Sequence, residues 1–202
     1  AIEVIPLGAD PVARSPQPVD QGLLDRLAER PVVLVVGTLE PRKNHAGLLD
    51  AFESVDADAT LVIVGRQGWK ADELGERIRT HPGFGDRIVW PADVNDATLD
   101  ALYELATVVA VPSHAEGYGL PVVEALRHGC RVVSSTGGSL REIGGELVTY
   151  VEATDPNALA VALDEALTDG FDRAADVELP TWDAGASALA EILVRADPRG
   201  QG

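Results

Sequence analysis

The feature that most restricts the fold is a repeated alternation of short apolar runs with segments of helical periodicity. Six runs of strand length are nearly all apolar, which is typical of parallel strands that are covered on both faces. These runs are residues 32–36, 61–64, 87–89, 108–111, 131–134 and 148–151. The segments of helical periodicity are residues 45–54, 70–80, 97–106, 121–128 and 156–168. The sequence therefore predicts an α/β fold with a doubly wound, Rossmann-like parallel sheet.

The loops that follow the predicted strands are the candidate functional segments. In a doubly wound sheet, ligands bind beyond the carboxyl ends of the strands. Five of these loops contain glycine or polar residues and are found at residues 37–44, 65–69, 90–95, 113–120 and 135–139. We expect them to converge on one crevice.

The most informative loop is SHAEGYGLPVVE, residues 113–124, which indicates a strand end, a glycine-rich turn and a helix start. Pro121 suits the first helical position, because its missing N–H has no intrahelical partner there. Backbone amides that precede the helix, together with the positive end of its dipole, would seat an anion such as a diphosphate. These amides belong to Tyr118, Gly119 and Leu120.

Two acids, Glu116 and Glu124, lie on either side of this helix start. They admit a second interpretation, in which solvated acids offset the helix dipole and the glycines only turn the chain. That interpretation accounts for each residue separately. It does not account for glycine at both 117 and 119 between two acids, directly after a buried strand. From these residues alone, both interpretations stay open.

The charge balance excludes some classes of partner. The chain has 16 Lys and Arg against 33 Asp and Glu, a formal net charge of -17. Such a chain repels nucleic acids and anionic membrane surfaces, so we expect no nucleic-acid partner. No apolar stretch of the sequence approaches the length of a membrane span. A diphosphate would instead need a few local cations and backbone dipoles. Because the single cysteine, Cys130, cannot form an internal disulfide, a reducing compartment such as the cytoplasm is expected.

Four segments, in order, resemble glycosyltransferase family 4, the retaining GT-B enzymes. They are GTLEPRKN at 37–44, LVIVG at 61–65, SHAEGYGLPVVE at 113–124 and the following EALxxG pattern. The likeness extends over about residues 1–195, and the EPRKN form looks most like bacterial mannosyltransferases that build surface polysaccharides. It implies the C-terminal, donor-binding half of a GT-B fold.

The resemblance also implies a division of the chain. Residues 1–18 would form an interdomain linker with an initial strand, and residues 19–180 the Rossmann-like donor-binding domain. Residues 181–202 would form a C-terminal helix and tail that pack toward an N-terminal acceptor domain outside this chain. The absence of methionine fits a piece of a longer protein.

Three catalytic residues are implied by the resemblance: Glu116, Lys43 and Arg42. Glu116 would lie near the transferred sugar, where it can bind hydroxyls or stabilise positive charge at the anomeric carbon. Lys43, with Arg42 beside it, would offset the charge that appears on the leaving diphosphate. Many relatives carry an arginine where this chain has Thr38, so the phosphate role is assigned mainly to Lys43.

Further residues are implied to bind the nucleotide sugar. Glu124 would accept hydrogen bonds from the ribose hydroxyls, because a carboxylate offers acceptors only. Residues 92–94 would hold the base through backbone groups and apolar contact. The remaining implied contacts are Gly37, Thr38, Ala92, Asp93, Val94, Tyr118, Gly119 and Leu120. The resemblance also implies that no metal is required, because Lys43 and the helix start would take the place of a metal ion. It implies no cofactor, and the nucleotide diphosphate sugar is a substrate.

The implied activity is retaining transfer of a hexose to an acceptor hydroxyl on a glycan or a lipid-linked sugar. Mannose from GDP-mannose is the first choice of donor by resemblance. Two other functions remain open: a nucleotide-binding module without transfer activity, and a GT-B sugar epimerase or hydrolase. The isolated domain is expected to be inactive because the acceptor domain is not part of it.

Overall fold

The computed structural model describes residues 3, 5, 8, 16–169 and 179–196, and it confirms the doubly wound α/β fold. Six parallel strands form one sheet in the order β3-β2-β1-β4-β5-β6. The strands are β1 (Val32–Val36), β2 (Thr60–Val64), β3 (Ile88–Val89), β4 (Val108–Val111), β5 (Arg131–Ser135) and β6 (Thr149–Val151). All six lie at predicted runs, with ends that differ by at most one residue.

The helices alternate with the strands along the chain. They are α1 (Gln21–Leu27), α2 (His45–Phe52), α3 (Asp72–Thr80), α4 (Asp96–Leu105), α5 (Leu120–Arg127), α6 (Leu140–Gly144), α7 (Pro156–Thr168) and α8 (Trp182–Ala196). Helices α1 and α6 were not predicted, and neither was a 3-10 helix at Pro41–Lys43. Pro121 is the second residue of α5, not the first as predicted, because Leu120 already belongs to the helix.

The sheet is covered on both faces, which explains why its strands are apolar at nearly every position. In β1, Val33 and Val35 pack into one hydrophobic cluster with residues of α2 and α7. The alternate residues Val32 and Leu34 pack into a second cluster with residues of α4 and α5. Side chains of a strand alternate between faces, so a strand buried on both sides loses the polar alternation of a half-exposed strand.

The chain reverses its direction of winding between β1 and β4. From β1 the chain continues outward to β2 and β3, whereas β4 lies on the other side of β1 and leads to β5 and β6. The chain therefore runs from the adjacent strands β1 and β4 toward opposite edges of the sheet. Such a switch point leaves a crevice at the carboxyl ends of the strands.

Helix α8 extends over the predicted residues and keeps an exposed apolar face. Leu189 and Leu193 are 47% and 61% exposed. Gly8 packs against the backbone of Trp182, and Glu3 pairs with Arg195 at 2.9 Å. Most of the predicted initial strand lies outside the described residues, and the division at 18 and 180 stays a prediction. Among the described residues, no helix is both long and apolar enough to cross a membrane.

Candidate functional site at the sheet switch point

The loops after the first three strands lie side by side at the carboxyl edge of the sheet. Leu39, after β1, forms an isolated parallel bridge with Gln67, after β2. The indole nitrogen of Trp90, after β3, donates a hydrogen bond to the carbonyl oxygen of Gly65 at 2.8 Å. These contacts join three of the five predicted loops into one surface.

The remaining two loops continue this surface past the switch point. The amide of His114, after β4, donates to the carbonyl oxygen of Arg42, after β1, at 2.8 Å. Glu116 forms a parallel bridge with Gly138, which follows β5. All five loops are thus in contact with a neighbouring loop at one edge of the sheet, and their convergence on one crevice stays a prediction.

Glycine is required where these loops approach each other most closely. A Cβ atom at Gly65 would overlap the carbonyl oxygen of Gly37, so the two glycines allow direct backbone contact. A Cβ atom at Gly138 would overlap the carbonyl oxygen of Glu116, and Gly138 also has φ +68°. A side chain at either position would push the loops apart. The atoms that it would meet belong to the backbone, which cannot move aside as the end of a flexible side chain can.

Asn44 holds the segment that carries Lys43. Its side-chain amide donates to the carbonyl oxygens of Pro112 at 3.2 Å and Ala153 at 2.7 Å. Its side-chain oxygen accepts from the amide of Gly47 at 3.3 Å and caps α2. Asn44 has φ +55°, a conformation that asparagine tolerates better than most residues. One buried side chain therefore fixes Lys43 against the ends of β4 and β6.

Lys43, Arg42 and Glu116 form one charged cluster. Lys43 Nζ lies 2.5 Å from Glu116 Oε1, and Arg42 Nη1 lies 3.2 Å from Glu116 Oε2. The Ser113 hydroxyl donates to Glu116 Oε1 at 2.7 Å. The Glu116 side chain is only 6% exposed and that of Lys43 12%, whereas Arg42 is half exposed. The interpretation of Glu116 as a solvated turn acid is therefore wrong.

The cluster keeps Glu116 ionised. Burial alone would raise the pKa of the carboxyl group, but the hydrogen bonds from Lys43 and Ser113, with the charges of Lys43 and Arg42, lower it below its usual value. A fixed carboxylate thus lies beside two cations. The side chain of Lys43 also passes Gly37, where a Cβ atom would lie 3.5 Å from Nζ. Gly37, Lys43, Arg42 and Glu116 are therefore brought together as predicted.

Glu124 occupies a separate position on α5. It is the fifth residue of that helix, so it is not a first-turn acid. Its Oε2 accepts a hydrogen bond from the Tyr103 hydroxyl at 2.8 Å. Within the described residues, no hydrogen bond or ion pair joins Glu124 to Lys43 or Glu116. Glu124 is therefore not part of the charged cluster around Glu116.

The amino end of α5 presents backbone amides next to the charged cluster. Gly119 precedes the helix with φ +99°, and its carbonyl oxygen accepts from the amides of Val122 and Val123. Among the described residues, the amides of Gly119 and Leu120 donate no hydrogen bond within the chain. Two of the three amides predicted to seat an anion are therefore available, and the anion seat itself stays a prediction.

The predicted base-binding loop, residues 92–94, has an unusual backbone. The amide of Asp93 donates to the carbonyl oxygen of Pro91 at 2.7 Å, across a three-residue turn centred on Ala92 with φ +63°. This conformation is rare for alanine and costs about 1–3 kcal/mol. The Asp93 carboxylate pairs with Arg66, and Val94 is half buried. The side chain of Asp93 is therefore engaged by the neighbouring loop.

Thr38 is exposed, and its methyl group limits the space at Gly68. Among the described residues, no three His, Cys, Asp or Glu side chains cluster closely enough to hold a metal ion. The expectation that no metal is needed stays a prediction.

His45 was not among the candidate site residues predicted from the sequence. His45 begins α2, directly after Asn44, and is 3% exposed. Neither of its ring nitrogens makes a hydrogen bond of normal geometry among the described residues, although the backbone of Gly37 is close enough to raise its pKa slightly. Burial, and then the charge of Lys43, lowers its pKa from 6.5 to about 4. A neutral imidazole therefore lies within reach of the Lys43 charge, and its only sequence signal is its position directly after Lys43 and Asn44.

His45 should make the fold sensitive to mild acid. Its folded pKa of about 4 lies below the usual 6.5, so the unfolded chain binds the extra proton between these values. Its contribution is complete above about pH 6.5 and is lost as the pH falls toward 4. We expect His45→Leu to remove ~2–3 kcal/mol of the stability difference between pH 7 and pH 4.5, measured by urea unfolding.

The exposed His114 provides the control for this measurement. His114→Leu makes the same replacement at an exposed position, so it measures what the loss of any histidine for leucine does to stability. An equal pH dependence in all three proteins would contradict the buried, neutral state of His45.

The structure is that of a doubly wound α/β protein whose glycine-rich loops hold a paired lysine and glutamate at the carboxyl edge of the sheet. The sequence profile described as Glycosyl transferases group 1 matches residues 24–178. The chain belongs to this family.

Curated relatives share the sequence over most of the chain. It is 34% identical to the serotype-specific mannosyltransferase WbdA of Escherichia coli over 86% of the chain and 22% of that protein. It is 30% identical to the D-inositol 3-phosphate glycosyltransferase of Xylanimonas cellulosilytica over 98% of the chain and 52% of that protein. The chain thus spans about a fifth of the first relative and half of the second.

Solved glycosyltransferases of the GT-B fold share the architecture. Sucrose-phosphate synthase from Thermosynechococcus elongatus matches with a TM-score of 0.67 at 26% identity, over 87% of this chain and 47% of that one. The C-terminal domain of a group 1 glycosyl transferase, LpcC from Francisella tularensis, matches with a TM-score of 0.61 at 22% identity, over 76% of this chain and 84% of that domain. The second likeness supports the fold alone.

Proposed function

We propose that this chain is the C-terminal, donor-binding domain of a retaining glycosyltransferase. The observation that carries the proposal is the cluster of Lys43, Arg42 and Glu116 at the switch point, in a member of the group 1 family. The amides of Gly119 and Leu120 supply further donors for a diphosphate. An acceptor domain, on the N-terminal side of this chain, would complete the enzyme and cover the exposed face of α8.

The donor we propose is GDP-mannose, and the product a surface polysaccharide or related glycoconjugate made in the cytoplasm. The name of the WbdA relative supports mannosyl transfer. A second relative is named O-antigen chain mannosyltransferase B and is 34% identical over 71% of this chain. The acceptor would be a sugar hydroxyl on a glycan or lipid-linked sugar.

In the proposed reaction, the bond between the anomeric carbon and the diphosphate oxygen breaks. The acceptor oxygen forms a bond to the same face of that carbon, and its proton passes to the leaving phosphate. Lys43 and Arg42 stabilise the negative charge that develops on the diphosphate. Glu116 binds the sugar and stabilises positive charge at the anomeric carbon, while Glu124 accepts from the ribose hydroxyls. The base lies against residues 92–94.

The cluster constrains how the diphosphate enters. Lys43 and Arg42 already bind Glu116, so an incoming diphosphate must share these cations with a carboxylate. When a complete donor binds, the hydroxyls of its sugar can donate hydrogen bonds to Glu116. These bonds compensate Glu116 for the share of Lys43 and Arg42 that the diphosphate takes. A bare nucleoside diphosphate cannot. The arrangement therefore favours the complete donor over its product.

Glu116→Gln should reverse this preference. Removing the carboxylate charge frees Lys43 and Arg42, so we expect GDP to bind about threefold to tenfold more tightly. The advantage of GDP-mannose over GDP should shrink. Calorimetry with both ligands measures the two effects. Glu40→Gln is a matched control because Glu40 also pairs with Arg42, at 2.9 Å, without contacting Lys43. Equal loss of both ligands in Glu116→Gln would instead indicate collapse of the loop.

A thermal-shift panel of nucleotide sugars tests the donor assignment. The cognate donor should raise the unfolding temperature most, because a ligand that binds only the folded state stabilises it by mass action. The panel should contain GDP-mannose, UDP-glucose and the corresponding free diphosphates. A shift with UDP-glucose alone would overturn the proposed donor, and no shift with any ligand would overturn the proposed site.

For the chain alone, nucleotide binding without sugar transfer is the expected behaviour. It spans between about a fifth and a half of the length of its relatives. Calorimetry with GDP and UDP, beside a transfer assay on the same sample, tests this directly. Formation of a sugar–acceptor product by this chain would contradict the need for an acceptor domain.

A further inference from the structure

Tyr103 directs its hydroxyl at the acid that we assign to ribose binding. The residue lies on α4, in the hydrophobic cluster beneath α5, and is 1% exposed. Its hydroxyl lies 2.8 Å from Oε2 of Glu124. Buried tyrosines usually hydrogen-bond through their hydroxyl, but here the partner is a carboxylate in a candidate ligand site.

The direction of this hydrogen bond is fixed. Burial, and then the charge of Glu124, raises the pKa of the Tyr103 phenol well above its ordinary value, so the proton stays on the phenol. A carboxylate only accepts, and Tyr103 therefore donates to Oε2. Among the described residues, Oε1 of Glu124 makes no hydrogen bond. One carboxylate oxygen is held by the protein and the other is left for a ligand.

The ring of Tyr103 cannot follow Glu124 if that side chain changes rotamer. The ring stacks on His128 with centroids 5.2 Å apart and an interplanar angle of 9°. The thiol of Cys130 donates to the carbonyl oxygen of Tyr103 at 3.0 Å. Because a rigid donor already holds the flexible side chain of Glu124, that side chain loses less conformational entropy when a ligand binds.

We infer that Tyr103 is a positioning residue for nucleotide recognition, which holds Glu124 so that Oε1 accepts from the 2′- and 3′-hydroxyls of a ribose. This inference rests on the proposed function, since it takes the ribose as the ligand of Glu124. Its consequence is selectivity for ligands with free ribose hydroxyls. The phenol contributes to that selectivity without touching the nucleotide.

The test compares GDP with 2′,3′-dideoxy-GDP, and UDP with its dideoxy counterpart, by calorimetry on this chain and on Tyr103→Phe. We expect the unchanged chain to bind the dideoxy ligand about tenfold more weakly, since a hydrogen bond to a charged group is lost. In Tyr103→Phe this penalty should fall to about threefold or less, because Glu124 is no longer held. A structural role alone would weaken both ligands equally and leave their ratio unchanged.

Tyr150→Phe is the matched control. The Tyr150 hydroxyl donates to the carbonyl oxygen of Leu140 at 3.2 Å and, among the described residues, forms no hydrogen bond with Glu124, so its removal should leave the ratio unchanged. The double variant Glu124→Ala with Tyr103→Phe leaves no unpaired buried carboxylate. Against Glu124→Ala alone it should show no further change in the ratio, because both substitutions act through one hydrogen bond.

The outcomes separate this inference from the proposed function. Two results would overturn the positioning role and leave the ribose role of Glu124 intact. One is a full dideoxy penalty in Tyr103→Phe, and the other is a smaller affinity ratio in the double variant than in Glu124→Ala alone. A missing penalty in the unchanged chain overturns the ribose role itself, and the positioning role with it. Thermal unfolding of each variant shows that the compared proteins are folded.

Discussion

Lys43→Ala is expected to weaken GDP binding about 100-fold and to leave guanosine binding unchanged, since a buried charge-assisted contact to phosphate is lost. The reason is the position of Nζ, on a side chain that is only 12% exposed and fixed 2.5 Å from Glu116. A cation held there is not screened as a surface lysine is. Calorimetry with GDP and guanosine separates the phosphate contribution from that of the nucleoside.

The chain offers a close control in Lys70, its only other lysine. Lys70 is exposed and lies over the Trp69 ring at 5.4 Å, so Lys70→Ala makes the same change in net charge away from the cluster. It should change GDP affinity less than about twofold. A similar loss in both variants would assign the effect to overall charge. An equal loss of GDP and guanosine in Lys43→Ala would show that the phosphate role is wrong.

The strands could be predicted because burial on both faces restricts each strand to mostly apolar residues, which the sequence shows directly. A strand such as β2, buried at every position, can hardly contain anything except apolar and β-branched residues. Helix α1 escaped prediction for the opposite reason. It has seven residues, of which only Leu23 and Leu27 are buried, so a single apolar turn carries its whole pattern. Its start depends on Asp20 accepting from the amide of Leu23, at 3.0 Å.

The family resemblance implied that Lys43, Arg42 and Glu116 belong to one site, but it did not predict that both cations pair directly with Glu116 or that Ser113 binds it. Ser113 and Arg42 complete the binding of Glu116, and this follows from the contact between the loops after β1 and β4. The pairing of Tyr103 with Glu124 was also beyond sequence reasoning. The two residues lie 21 positions apart on different helices, and their contact depends on how α4 and α5 pack. Periodicity finds a buried face but not the atom that a buried hydroxyl meets.

Gly138→Ala should destabilise the protein and separate the loop after β4 from the loop after β5. The new Cβ atom would overlap the carbonyl oxygen of Glu116, and φ +68° is unfavourable for alanine. Together these terms cost about 2–5 kcal/mol of unfolding free energy. The loop after β4 must then move away from the loop after β5, and Glu116 moves with it. We therefore expect weaker binding of GDP-mannose in addition to a lower urea midpoint.

Three other glycines separate the two causes. Gly137→Ala brings only an overlap with the backbone of His114, and Gly85→Ala brings only φ +86°, with nothing within 4 Å. Gly117→Ala brings neither, although it lies in the same loop as Glu116, and should change stability by less than about 1 kcal/mol. The expected order of destabilisation is Gly138 first, then Gly137, then Gly85, and last Gly117. If Gly85→Ala cost as much as Gly138→Ala, backbone conformation and not the contact between loops would determine the effect. Of these four variants, only Gly138→Ala and Gly137→Ala should bind the donor more weakly. Only these two of the four glycines lie where the loops after β4 and β5 touch.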